Sequence, residues 1–286
     1  MLARSRSLVS LGRRRFSSSA ASPTPVIELQ EFLLDPGHTW KYLEFAQAQS
    51  ELRRQLLPIR LCCAPDLGGK QNVMTHFYYF DQGIEQREDV RAAVAEHSQW
   101  QQYLMESRRY VLEQHANLYV EAPLVKSHNL RGMATVFIGE GSGGGSSGGG
   151  SVDTFTSSAH SGFAAPGGTG PASAACIYEI RKYKLGLGYG VVQQFLALYE
   201  AGLPSKLGAE GNDPSSELCT IVSSEVGETN NVLEIWRHGG GVRAMNATRQ
   251  AARGAAAWRD AINNIAKLTT HFANTIYKPL NHSNWK

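Results

Sequence analysis

The stretch Cys176–Gly188, CIYEIRKYKLGLG, reads as one strand closed by a glycine turn, with a helical pattern after it. Val26–Gly37, VIELQEFLLDPG, has the same shape. Glu28 aligns with Glu179, Leu29 with Ile180, Phe32 with Tyr183 and Leu34 with Leu185, at a constant offset of 151. Gly37 stands where Gly188 does. Further on, Tyr78, Arg91 and Trp100 match Trp236, Arg249 and Trp258 at a constant offset of 158. An internal duplication, with about seven residues inserted in the middle of the second copy, accounts for both offsets.

The first copy spans 24–127. Strand Val26–Leu34 ends at the turn Asp35-Pro36-Gly37, and a helix runs from Thr39 to about Leu57, where Pro58 stops it. Strands Ile59–Ala64 and Val73–Phe80 form a hairpin. A long helix from about Arg87 to Gln114 and a short strand, Asn117–Ala122, complete the unit. The second copy, 174–282, repeats the order. It has strand Cys176–Leu185, a helix bearing Val191, Phe195 and Leu198, strands Leu218–Ser223 and Asn231–Arg237, a helix Val242–Thr270 and strand Ala273–Lys278. Both read β-α-β-β-α-β, the ferredoxin-like arrangement of the α+β class. Such a unit carries helices on one sheet face and leaves the other bare. Two tandem copies can cover each other, sheet to sheet, as a pseudo-dimeric α/β barrel.

Period-2 alternation gathers Glu28, Gln30 and Phe32 on one face of the first strand, and Glu179, Arg181 and Tyr183 on the matching face of its counterpart. Glu28, Glu179, Arg181 and Tyr183 form the candidate polar cluster, expected inside the barrel or at its rim. Buried charges occur paired, so the cluster reads either as a satisfied structural network or as the wall of a ligand pocket.

Composition narrows the rest. The chain has 28 basic and 25 acidic residues, but five arginines (Arg4, Arg6, Arg13, Arg14, Arg15) precede the first acid, Glu28. Without them the balance is 23 to 25, which gives no support to a nucleic-acid surface. Residues 1–19, arginine- and serine-rich and free of acids, have the composition of a mitochondrial transit peptide. Residues 139–172 open with GEGSGGGSSGGG and read as a flexible linker. Gly139, Gly141 and Gly144 match a dinucleotide fingerprint only formally, because more glycine follows instead of a helix. No apolar run is long enough for a transmembrane helix. The histidines show no metal-ligand spacing, and no nucleophile elbow or P-loop is present, so no cofactor, metal or catalytic residue is assigned. Cys62, Cys63, Cys176 and Cys219 read as buried, reduced thiols.

CIYEIRKYKLGLG resembles the Y-E-L-R-x-Y-x-L-x-P-G opening of the NIPSNAP family. The run Val232–His238, Arg249 with Trp258, and Ile276–Leu280 are similar to the rest of that domain, as are Arg87–Arg91, Trp100 and Pro123-Leu124 in the first copy. Gly186-Leu187-Gly188 lacks the family's proline, and the linker is longer than the family's. The resemblance implies a tandem dimeric-α/β-barrel fold, residence in mitochondria, with the matrix favoured, and a non-enzymatic role through protein contacts. Implied partners are autophagy adaptors at damaged mitochondria or matrix enzyme complexes, with a homo-oligomer left open. Two alternatives stand beside it: a small-molecule enzyme with an oxygenase- or isomerase-type site in the barrel, and an accessory subunit of a mitochondrial complex.

Overall fold

A computed structural model describes residues 22–135, 176–281 and 283–285. Segments 1–19, read above as a transit peptide, and 139–172, read as a linker, lie outside the described residues.

The first copy contains β1 (Val26–Leu34), α1 (Thr39–Ala48), α2 (Ser50–Leu56), β2 (Ile59–Leu67), β3 (Val73–Phe80), α3 (Gly83–Glu96), α4 (Ser98–Ser107), β4 (Val111–Glu121) and a short α5 (Leu124–Ser127). The second contains β5 (Ile177–Leu185), α6 (Val191–Leu207), β6 (Ser216–Val226), β7 (Asn231–His238), α7 (Gly241–Gly254), α8 (Ala256–Leu268) and β8 (Thr269–Pro279). The β-α-β-β-α-β order occurs twice, with the helix expected over Thr39–Leu57 divided into α1 and α2 where α6 runs unbroken. The 158-residue offset carries Val73–Phe80 onto Asn231–His238 and Val111–Glu121 onto Thr269–Pro279. The insertion sits mainly between α6 and β6, where Gly208–Ser215 replaces the two residues Leu57 and Pro58.

Each long helix expected from periodicity is two helices. His97 breaks one (φ −76°, ψ 114°) and its counterpart Ala255 breaks the other (φ −76°, ψ 104°). The extended backbone at these positions turns the second helix without changing its apolar spacing, which is why the pattern alone does not reveal the break. The first helix also stops early. Val111–Gln114, expected to be helical, belongs to β4, where it pairs with the end of β1.

The eight strands close in the order β1-β3-β2-β8-β5-β7-β6-β4, every pairing antiparallel. Two seams join the copies: β2 with β8 (Ala64 opposite Lys278) and β4 with β6 (Val120 opposite Ser223). No strand of the barrel keeps a bare edge. Residues pointing inward, among them Ile27, Leu29, Phe77, Tyr178, Ile180, Leu233 and Ile235, form one apolar core shared by both copies. Outward-facing residues of each four-stranded sheet pack under that copy's own helices. Val26, Ile59, Tyr78 and Phe80 meet Val94, Trp100 and Tyr103 in the first copy, while Tyr183, Leu185 and Trp236 meet Phe195, Tyr199 and Trp258 in the second.

Candidate functional site

The candidate cluster is not in the barrel. Glu28, Glu179, Arg181 and Tyr183 lie on the outward face of their strands, between sheet and helices, whereas their neighbours Leu29 and Ile180 line the interior. The alternation assigned the two faces correctly and the choice of covering was reversed. The helix layer delivers the partners these carboxylates need: α3 brings Arg87 and Arg91 to Glu28, and α7 brings Arg249 to Glu179. The four residues also divide into two sites. Glu28 belongs to the first copy, and the other three converge in the second.

In the second copy β5 and β7 run side by side and aim alternate side chains at α6, α7 and α8. The fully buried Glu179 accepts hydrogen bonds from Arg181 Nε (2.6 Å), Arg249 Nη2 (2.8 Å) and Asn274 Nδ2 (2.8 Å), with His238 Nε2 at 3.2 Å. Arg181 also reaches a second buried carboxylate, Glu234, through Nη1 at 3.4 Å. Glu234 accepts from Tyr183 Oη (2.8 Å), Lys206 Nζ (2.7 Å) and the Trp236 indole N–H. The Lys206 ammonium, 2% exposed, lies over the rings of Trp236 (4.1 Å) and Trp258 (4.3 Å). Burial alone would raise both carboxyls. Lys206 and Arg181 outweigh it at Glu234 and hold that group down to about 2, and the His238, Arg181 and Arg249 contacts hold Glu179 far below its ordinary value. Burial pulls Lys206 down to about 8, with Glu234 opposing and Arg181 adding to the shift.

The first copy keeps one carboxylate and replaces the other. Glu28 accepts from Gln30 Nε2 (2.6 Å), Arg87 Nε (3.0 Å) and Arg91 Nη2 (2.9 Å). Burial acts against ionisation, and the two arginines with Gln30 hold the carboxyl below its ordinary value. Gln30 stands where Arg181 does, Phe32 where Tyr183 does, and His76 where Glu234 does. Arg53, 3% exposed, takes the part of the buried cation. It donates to Tyr78 Oη and Tyr103 Oη, both at 2.7 Å, and to His76 Nδ1 at 3.1 Å, with Trp100 beneath the guanidinium at 5.1 Å. Neutral acceptors and ring faces replace the carboxylate. These two phenols and the imidazole accept from both terminal nitrogens of the guanidinium.

A cavity of about 410 Å³ opens beside the second network, between α8 and the β5–β8 pair. Arg181 and Tyr183 form its polar wall, and Trp258, Ile262, Ile265 and Phe272 its apolar one. Among the described residues, no three His, Cys, Asp or Glu side chains converge in a metal-ligand group. Burial raises the thiol of Cys62 to about 12, against the opposing pull of Arg53, and also raises Cys63 and Cys219 well above the ordinary range. These side chains therefore pack as thiols and are not poised as thiolates.

The cluster inferred from sequence omitted Glu234, Lys206, His238 and Arg249 in one copy, and Arg53, Arg87 and Arg91 in the other. A signal for part of this was present. Arg91 and Arg249 recur at the same offset as the tryptophans, so a guanidinium accompanies each matched carboxylate. Lys206 also continues the buried stripe Phe195, Tyr199, Leu203 along α6.

Solved structures with the same architecture include a protein provisionally named a monooxygenase from Fusobacterium nucleatum (5% identity, 91% of this chain and 94% of that one, TM-score 0.55). Another from Lactobacillus acidophilus is also provisionally named a monooxygenase (6% identity, 90% and 94%, TM-score 0.50). At these identities the likeness concerns the fold. A NIPSNAP family protein of unknown function from Agrobacterium tumefaciens aligns over 37% of this chain and 89% of its own, at 25% identity and a TM-score of 0.32. No curated protein sequence matches the chain. Residues 27–126 match the NIPSNAP family model, so the first copy is a NIPSNAP domain, and a second copy with the same strand order completes the barrel.

Proposed function

We propose that this is a mitochondrial, NIPSNAP-like interaction or scaffold protein that acts through protein contacts, in organelle quality control or on matrix enzyme complexes, and has no reaction of its own. One observation carries this reading. The buried carboxylates are saturated: Glu179 and Glu234 each face four donors, and their carboxyls are held low. A general acid or base needs a pKa near the working pH and a route to substrate. Here the charge is spent on holding strands to helices. Proximity labelling in mitochondria, with and without membrane depolarisation, tests the reading. Reproducible adaptor or matrix-enzyme neighbours support it, and a labelling profile equal to that of an inert matrix protein sinks it.

A second reading, small-molecule turnover, is favoured by the cavity against Arg181 and Tyr183. Its test is Tyr183→Phe together with Ala266→Trp, which fills the cavity. Metabolite turnover and ligand-induced thermal shifts unchanged by both would remove it.

A further inference from the structure

The barrel itself is a cup. One end is stoppered. Trp285, fully buried, stacks on Tyr178 (centroids 6.1 Å apart), donates its indole N–H to the Thr135 carbonyl (2.8 Å), and packs with Met133 among the interior residues at the starts of β1 and β5. The opposite end, where β1 and β5 finish, opens into a cavity of about 510 Å³. This lies within the range of small-molecule sites. Its floor is apolar: Leu29, Phe77, Ile180 and Leu233, with Tyr277 at the wall. Its rim is charged, and most of that charge is already paired. Lys182 lies 3.3 Å from Glu228, and His115 3.4 Å from Glu113.

Glu31 is different. It follows Ile27 and Leu29 along the inward face of β1, so its carboxylate lines the cavity just above the floor, half-buried. It has no hydrogen bond or ion pair among the described residues, and its charge is felt inside the barrel, where it adds to burial in raising the Tyr119 and Tyr277 phenols. Its counterpart across the duplication, Lys182, is engaged by Glu228, which Lys184 also reaches, so Lys182 does not serve as the partner of Glu31. Lys70, likewise without a partner, sits on the exposed β2–β3 turn at the lip. With histidine counted neutral, Glu31, Glu113 and Glu228 against Lys70 and Lys182 leave the lining residues one net negative charge, while Lys184, outside the lining, shares Glu228 at 3.4 Å.

We propose that the open end of the barrel binds a small amphipathic cation, an amine on an apolar body, with the apolar part on Leu29, Phe77, Ile180 and Leu233 and the ammonium at Glu31. This goes beyond the scaffold reading and does not depend on it, because the cup lies on the opposite face of the sheet from the saturated networks.

The test uses three probes of equal length, 4-phenylbutylamine, 4-phenylbutyrate and 4-phenylbutanol, titrated into the full chain by calorimetry. The amine should bind at least about tenfold more tightly than the acid. Glu31→Gln should remove that preference, a loss on the scale of one charge-assisted hydrogen bond. Leu233→Trp, filling the floor, should abolish binding of all three. Should either variant fold poorly, methyl NMR of the wild type decides. Shifts from the amine confined to Leu29, Ile180 and Leu233 support the site. Equal or tighter binding of the acid, affinity unchanged in both variants, or no methyl shift at millimolar amine would overturn it. Partner capture is scored separately, so a failed cup leaves the scaffold reading standing, and the reverse also holds.

Discussion

Glu234 and Lys206 offer a sharp test of how the second copy is held together. Replacing Glu234 by Gln removes the carboxylate from four donors at once: Tyr183, Lys206, Arg181 and Trp236. Lys206, 2% exposed, then keeps at most the amide oxygen and the faces of Trp236 and Trp258, with no countercharge at position 234. A desolvated cation over an aromatic ring recovers about 2 kcal/mol. Breaking a buried pair from one side costs about 3–5 kcal/mol, because the surviving charge stays in low dielectric. We therefore expect Glu234→Gln to destabilise by about 3–5 kcal/mol, a fall in Tm on the order of 6–20 °C for a chain of this size. Lys206→Met should cost less, about 1–3 kcal/mol, since Arg181, Tyr183 and Trp236 still serve Glu234. The double variant should be milder than the sum of the two, because replacing both partners removes the unpaired charge. Urea unfolding followed by tryptophan fluorescence reads all four states, and Trp236 and Trp258 report on the site itself. Additive losses in the double variant, or a loss under about 1 kcal/mol for Glu234→Gln, would refute the reasoning.

Glu179→Gln should cost more than Glu28→Gln. Glu28 leaves behind Arg87 and Arg91, each more than a fifth exposed and able to rehydrate, whereas Glu179 leaves Arg181 at 15% and His238 at 1% exposure; paired thermal melts measure the difference. Stability should fall on acidification through the window from about 4.5 to about 2. Glu234 is held at the lower value when folded and near the upper one when unfolded, so the unfolded chain binds more protons there, and Glu234→Gln should flatten this limb in urea titrations at stepped pH. Gly68→Ala should destabilise the β2–β8 seam by about 2–3 kcal/mol, since φ is +89° and the new Cβ would lie 2.3 Å from the Asn274 carbonyl oxygen. Gly227→Ala, at the β4–β6 seam, should cost less, because the nearest atom is the Asn117 side-chain amide, which can swing away; calorimetric Tm values rank the two.

The duplicated strand pattern was enough to read the architecture. An offset that holds across Tyr78, Arg91 and Trp100 constrains whole elements, and the strands and helices of the structure fall at that offset. The helix breaks at His97 and Ala255 were not legible, because one extended residue leaves the apolar spacing on either side intact. The candidate site was half legible. Alternation identifies which residues share a face, but it is silent on which face the helices take. Leu29 and Glu28 are equally plausible occupants of a barrel interior until α3 delivers Arg87 and Arg91 to one of them. Lys206 was hidden for a related reason: a lysine on an aromatic helix stripe reads as a solvated edge until Glu234 is placed opposite it.

Joining the two copies in one chain has a consequence for how each can change. In a homodimer any substitution appears on both sides of the symmetry axis, so a lone carboxylate at one position would be mirrored by another. Here position 76 carries His while its twin, 234, carries Glu, and the copies hold unlike cations, Arg53 among phenols and Lys206 against a carboxylate. Covalent tethering releases the halves from mirrored evolution, and the unequal pair Glu31 and Lys182 at the barrel mouth is available only to a chain that has escaped it.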